Sequence, residues 1–319
     1  MRRVVLWLLV LLVAVIAVPP LVARIFQLGP DPTLRPPRGR TVSIGGGLEL
    51  NVVEVGSGPP VVLVHGLPSC ASDWATLPQK LAAKGYRVIA YDRIGYGYSS
   101  RTPSTRERYT YESNARDLAG LLDALRIERA TLVGWSYGGA VVQTLARTSP
   151  ERVSHLVLIA AVGPAQPEPG HDALSVVLGS PFGRPVLKWV ASIPPLSRRL
   201  THENLVQAFA RSETIPPRWT EYTRSMLALP GTLDAFVWEE QRGRGVALEP
   251  EKLQVPTLIL QGTADYLVPP AVAEDLHRRL RRSEIVRIPD GSHMLPVTHA
   301  ELLTDRIHVF LSGEPRILN

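Results

Sequence analysis

The strongest constraint in this sequence is a rhythm of short apolar runs separated by helical stretches. Val61–Val64, Arg87–Tyr91, Thr131–Val133 and Val153–Ala160 read as buried strands, too short for helices. Between them, helices are predicted over about Asp73–Ala83, Tyr111–Leu125 and Gly138–Arg147. The second of these carries Leu118, Leu121, Leu122 and Leu125 on one face. Strands alternating with helices imply a mostly parallel central sheet with helices on both faces, an α/β class. Ahead of it, Thr41–Ile44 and Leu48–Val55, joined by Gly45-Gly46-Gly47, read as an antiparallel hairpin.

The rhythm stops near Gly163. It resumes with a strand over Pro256–Gln261, a helix over Ala271–Arg282, a strand over Glu284–Ile288 and a helix over Val297–Leu311. Residues 164–250 hold many prolines and helical fragments. They read as an insertion, most simply a helical cap over the strand ends. Residues 41–163 and 251–319 then form one core, large enough within 319 residues to bury a sizeable interior.

Residues 1–28 are of a different character. Arg2 and Arg3 are followed by no charge from Val4 to Ala23, a length of about 20 residues that matches one bilayer core. A cleaved signal peptide also starts basic and apolar, but the best cleavage site, Val15-Ile16-Ala17, is closely followed by Pro19 and Pro20. An uncleaved single-pass anchor is the expectation, with the body outside the cytoplasm; secretion after cleavage is the alternative. Residues 29–40, GPDPTLRPPRGR, read as a stiff, basic linker. The formal charge of +6 is concentrated at this end, where Arg2, Arg3, Arg24, Arg35, Arg38 and Arg40 face only Asp31. The nearly neutral body is a poor nucleic-acid binder, and the basic arm suits an anionic membrane surface.

Ser136 lies in LVGWSYGGA, residues 132–140, where a predicted strand gives way to a predicted helix. A serine needs a base to act as a nucleophile near neutral pH, and a histidine base needs an acid to hold its tautomer. Asp265 in QGTADYLVPP and His293 in PDGSHMLP each follow a later strand. Loops at the carboxyl edge of a parallel sheet converge, so strand direction places Ser136, Asp265 and His293 on one side. Their chain order and the strand–turn–helix setting are those of a nucleophile elbow. Gly134 and Gly138 relieve crowding around a serine on a tight turn. The helix behind Ser136 aims its positive end at developing negative charge. An oxyanion would find the Tyr137 N–H and one from the loop after Val64. Pro68 has none, which leaves Gly66 or Leu67.

Five segments carry a family resemblance: VVLVHGLPS at 61–69, YDRIGYGYS at 91–99, GWSYGG at 134–139, GTADYLVP at 262–269 and GSHMLP at 291–296. With these in order, the chain resembles the α/β-hydrolase superfamily over roughly residues 41–312. The resemblance implies a serine hydrolase with Ser136 as nucleophile, His293 as base and Asp265 as its partner. It points to Leu67 beside Tyr137 as oxyanion donor, and to a structural His65 that shapes the oxyanion loop. Epoxide hydrolases and haloalkane dehalogenases of the superfamily carry Asp where this chain has Ser136, which disfavours those chemistries.

Other residues receive plainer readings. Asp92, Arg93 and Gly95 read as a buried polar turn, and Cys70, the single cysteine, as a packing residue. His299 and His308 fall inside the last predicted helix rather than on a loop. No histidine pair has metal-ligand spacing and no Gly-rich loop precedes a lysine, so neither metal nor cofactor is expected. In 164–250, Trp189, Trp219 and Trp238 are half of the six tryptophans. They either line an apolar or aryl pocket or pack the insertion on the body. Charges in that segment balance, so an acidic substrate is not indicated. The expected activity is hydrolysis of a small to medium apolar or aromatic carboxylic ester through an acyl-enzyme. The alternatives are carbon–carbon bond hydrolysis on the same fold and a receptor that binds without turnover.

Overall fold

The computed structural model describes residues 30–102, 108–164, 180, 183–210, 215–242 and 248–313, with positions 7, 10, 13, 16–18 and 21 nearer the start. The strands are β1 (Arg40–Gly45), β2 (Leu48–Val55), β3 (Pro60–Val64), β4 (Arg87–Tyr91), β5 (Ala130–Trp135), β6 (Val153–Ile159), β7 (Thr257–Gly262) and β8 (Ser283–Ile288). They form one sheet in the order β1-β2-β4-β3-β5-β6-β7-β8. β1 and β2 make the expected hairpin, and β2 also runs antiparallel to β4. The other pairs are parallel.

Both faces of the central strands are buried. Along β3, Val62 and Val64 enter one apolar cluster and Val61 and Leu63 the other, as a two-residue period requires. The first cluster is closed by α2 (Tyr111–Ala124), α3 (Tyr137–Thr148) and α8 (Pro270–Arg279), through Leu118, Val141 and Leu276. The second is closed by α1 (Leu77–Ala83) and α10 (Ala300–Ser312), through Leu77, Leu81, Leu303 and Ile307.

Two predicted helices are broken. In place of one helix over Asp73–Ala83, a short 3₁₀ turn (Ala71–Trp74) precedes α1, with Ala75 between them at φ 50°. Asp73 causes the break by turning back to accept the Ser69 hydroxyl at 2.7 Å and the Cys70 N–H at 3.3 Å. The helix predicted over Val297–Leu311 is divided into α9 (Leu295–Thr298) and α10. His299 therefore lies at the break, preceding α10, and not inside a helix.

Between β6 and β7 the described residues form α4 (Gly183–Ala191), α5 (Pro194–Ala208), α6 (Trp219–Leu227) and α7 (Thr232–Arg242), and no strand. Among the described residues no helix is long and apolar enough to cross a membrane. The expected single-pass anchor is therefore not seen, and most of residues 1–28, on which it was placed, lie outside the described residues. The positions described there are helical, and Trp7, Val13 and Leu21 are exposed.

Candidate active site

The register brings the ends of the central strands level. Val64 of β3 pairs with Gly134 of β5, and Trp135 pairs with Ile159 of β6. Ile159 pairs with Leu260 of β7, and Gly262 pairs with Ile288 of β8. Leu67, Ser136, Asp265 and His293 each follow one of these ends.

Ser136 turns the chain from β5 into α3 at φ 54° and ψ −121°, a region that favours glycine. Its N–H donates to the Ile159 carbonyl at 3.0 Å, and its carbonyl accepts the Gly139 and Val162 N–H groups. Space for the turn comes from glycine. A Cβ at Gly138 would fall 2.0 Å from the Val64 carbonyl oxygen, and one at Gly134 would fall 2.5 Å from the Gly138 carbonyl oxygen.

The loops after β7 and β8 are laced together by backbone bonds. Thr263 N–H donates to Ile288 and Ala264 N–H to Gly291. This brings Asp265 Oδ2 to 2.9 Å from His293 Nδ1. The other carboxylate oxygen, Oδ1, accepts the Leu267 and Val268 N–H groups at 2.9 and 2.8 Å. Asp265 is thus fixed in orientation by two backbone donors and by the imidazole. His293 is held at its backbone by the Ala208 carbonyl, which accepts its N–H, and by the Trp135 indole, which donates to its carbonyl at 3.0 Å. Neither the Ser136 hydroxyl nor His293 Nε2 has a hydrogen-bond partner among the described residues. Asp265 and His293 are joined directly; a Ser136–His293 bond is not formed in this conformation.

The loop after β3 passes against Ser136: a Cβ at Gly66 would come 3.0 Å from Ser136 Cβ. The Leu67 N–H has no acceptor among the described residues. Tyr137 is the first residue of α3, where an N–H has no partner within the helix. His65 is fully buried, and burial followed by the nearby Arg93 charge pushes its pKa well below the ordinary value, so it is neutral. Its Nε2 accepts the Arg93 N–H at 2.9 Å, which leaves the proton on Nδ1 to donate to the Gly66 carbonyl, also at 2.9 Å.

Asp92 is a buried turn anchor, accepting from Ala71, Asn51 and Tyr98. Arg93 reaches further than its sequence context suggests. It is buried, lies 4.5 Å from the centre of the Tyr137 ring, donates to the Gly66 carbonyl and pairs with Glu239 of α7. The two tryptophans of α6 and α7 both touch neighbouring rings. Trp238 lies 5.0 Å from the Tyr109 ring under Arg184, and Trp219 bridges Phe209 and Tyr222. A cavity of about 560 Å³ between α5 and α6 is lined by Arg198, His202, Arg218 and Trp219 among others, and by none of the four site residues. Among the described residues no group of three or more His, Cys, Asp or Glu side chains could hold a metal ion.

Known proteins agree with this architecture. The chain is 32% identical over 281 residues to the 2-hydroxy-6-oxo-2,4-heptadienoate hydrolase of Pseudomonas putida, covering 86% of this chain and 97% of that protein. It is 30% identical over 273 residues to a putative non-heme chloroperoxidase of a Synechocystis species, covering 83% and 95%. Its fold matches a thermophilic esterase from Thermogutta terrifontis with a TM-score of 0.71 at 27% identity, covering 87% and 99%. The model of the alpha/beta hydrolase fold family matches residues 59–300, and this chain belongs to that family.

Proposed function

We propose that the chain is a serine hydrolase acting on a neutral apolar or aromatic carboxylic ester. The observation that carries this reading is Ser136 on a strained turn at the sheet edge that also holds the hydrogen-bonded His293–Asp265 pair. His293 Nε2 takes the proton as Ser136 Oγ attacks the carbonyl, with the Ser136–His293 bond closing as substrate binds. Leu67 and Tyr137 N–H groups receive the oxyanion. Asp265 keeps the proton on Nδ1 and stabilises the imidazolium. The protonated His293 then gives its proton to the leaving alcohol. Water repeats the sequence on the acyl-enzyme and releases the acid.

A second reading, carbon–carbon bond hydrolysis, is favoured by the heptadienoate hydrolase relative. A dienoate brings a carboxylate that wants an unpaired cation. Among the described residues, each Lys and Arg of α4 to α6, and Arg218 just before α6, is paired with a carboxylate: Arg184 and Lys188 with Asp234, Arg198 and Arg224 with Glu221, Arg199 with Glu203, and Arg218 with Asp31. That supports the neutral ester. The helices α4 to α7 act as the cap, and the charge-free run Val4–Ala23 anchors the chain in a membrane with the body on the outer side; its exposed apolar positions support the anchor.

The test is labelling of the full chain by a fluorophosphonate, with turnover of p-nitrophenyl esters and of a vinylogous diketone side by side. Labelling lost in Ser136→Ala, with ester turnover dominant, is the expected result. Identical behaviour of Ser136→Ala, or ligand binding with no acid released, overturns the mechanism. Extraction of the full chain from membranes by alkaline carbonate would overturn the anchor.

A further inference from the structure

Arg93 and Glu239 form an ion pair with no side-chain exposure at either end, Nη1 to Oε1 at 2.5 Å. Such a pair is a poor device for stability alone, since apolar residues of similar volume often serve as well or better. The other contacts of Arg93 show what it holds. Nη2 donates to the Gly66 carbonyl at 2.8 Å and Nε to the His65 carbonyl at 3.2 Å. The Gly66 carbonyl also accepts from His65 Nδ1, so two donors fix one oxygen. That oxygen belongs to the same peptide unit as the Leu67 N–H. A trans peptide directs its C=O and N–H oppositely, so anchoring the oxygen on Arg93 turns the N–H away from Arg93. The same guanidinium lies 4.5 Å from the centre of the Tyr137 ring.

We propose that Glu239 is a positioning residue for the oxyanion site: by fixing Arg93 it orients the Gly66–Leu67 peptide, so the Leu67 donor is set only when α7 is docked. This rests on the reading that Leu67 N–H receives the oxyanion. Glu239 is itself over-determined, with Oε2 accepting the Tyr96 hydroxyl at 2.8 Å and Oε1 accepting Asn114 Nδ2 at 3.0 Å. Of this set only Glu239 comes from the helices between β6 and β7. Docking of α7 is close: a Cβ at Gly95 would meet Ala235 Cβ at 2.5 Å. Cap placement and oxyanion binding are thereby one event, and a displaced cap leaves a weaker hydrolase and not merely an open one.

The experiment compares the full-length parent, Glu239→Gln and the double variant Arg93→Met/Glu239→Leu. It reads kcat and KM for p-nitrophenyl acetate, affinity for an alkylboronic acid whose tetrahedral adduct carries the oxyanion, and the thermal midpoint. Losing a whole oxyanion donor costs about 10²–10³ in kcat, so a misdirected one should cost about tenfold or more. Glu239→Gln is expected to lose that in kcat and in boronic-acid affinity together, with KM within about twofold, because the contact matters in the transition state. The double variant is expected to regain the thermal midpoint while kcat stays low, and it decides the matter if Glu239→Gln does not fold. Folded Glu239→Gln with kcat within about threefold of the parent overturns the proposal. So does recovery of kcat together with stability in the double variant. Full turnover in Ser136→Ala, run alongside, overturns the hydrolase reading beneath it instead.

Discussion

Trp135 donates its indole N–H to the backbone carbonyl of His293 at 3.0 Å, and its ring centre lies 5.9 Å from that of the imidazole. The residue before the proposed nucleophile therefore holds the loop that carries the proposed base. Trp135→Phe keeps most of the buried ring and removes the donor. A buried carbonyl left without it costs about 1–3 kcal/mol, and a loosened base lowers kcat by roughly three- to tenfold, since small displacements of reacting groups are expensive. Urea denaturation and ester turnover measure the two effects. An unchanged kcat would mean that the Ala208 contact alone sets the loop.

Ser136 occupies its turn against its own backbone preference. A non-glycine residue held in such a region costs about 1–3 kcal/mol, while glycine loses about 0.5–1 kcal/mol more in folding entropy. Ser136→Gly should therefore be more stable than Ser136→Ala by about 1 kcal/mol, with both inactive. Thermal melts of the two variants decide this. Equal midpoints would show that the turn stores little strain at φ 54°.

Asp117 on α2 gives a pH signature away from the site. Burial raises its pKa to about 6, against the pull of Arg108, whose Nη2 lies 2.6 Å away. Between about pH 4 and 6 the folded state then holds a proton that the unfolded state has released. Stability conferred by that proton is present below the unfolded pKa and lost as pH rises through 6, to at most about 3 kcal/mol. Asp117→Asn lacks this dependence, so it should gain on the parent between pH 4 and pH 7. Urea titrations at the two pH values test the sign, and a constant difference would show that Asp117 does not titrate in that window.

The parallel sheet was legible because both faces of its central strands are buried, which makes strands such as Val61–Val64 wholly apolar. Ser136, Asp265 and His293 could be brought to one edge from strand direction and chain order alone. The break at Ala75 was not legible, because Asp73 is held in part by the Tyr222 hydroxyl, 149 residues away on α6. Arg93 was read as part of a structural turn for the same reason. Its partner Glu239 is 146 residues distant, and only the docking of α7 makes the pair. The tryptophans left two uses open: Trp238 packs on Tyr109, while Trp219 both packs on Phe209 and Tyr222 and lines the cavity between α5 and α6, a difference that hydrophobicity by itself does not report. Local pattern reports what an element buries; it does not report which distant side chain completes a polar network.

That distance has a measurable consequence at Cys70. The thiol is buried, with its Sγ 3.4 Å from the Tyr222 hydroxyl of α6. Burial first, and then the Asp73 and Asp92 carboxylates, push its pKa well above the ordinary thiol value. Since the thiolate is the reactive form, the native protein should not react with Ellman's reagent at pH 8, while guanidinium-unfolded protein should release one equivalent. Tyr222→Ala removes the covering side chain from α6 and should make the thiol reactive in folded protein. Rapid labelling of the parent would contradict this arrangement. With slow labelling in the parent and fast labelling in Tyr222→Ala, the rate becomes a probe of how often α6 lifts from the body.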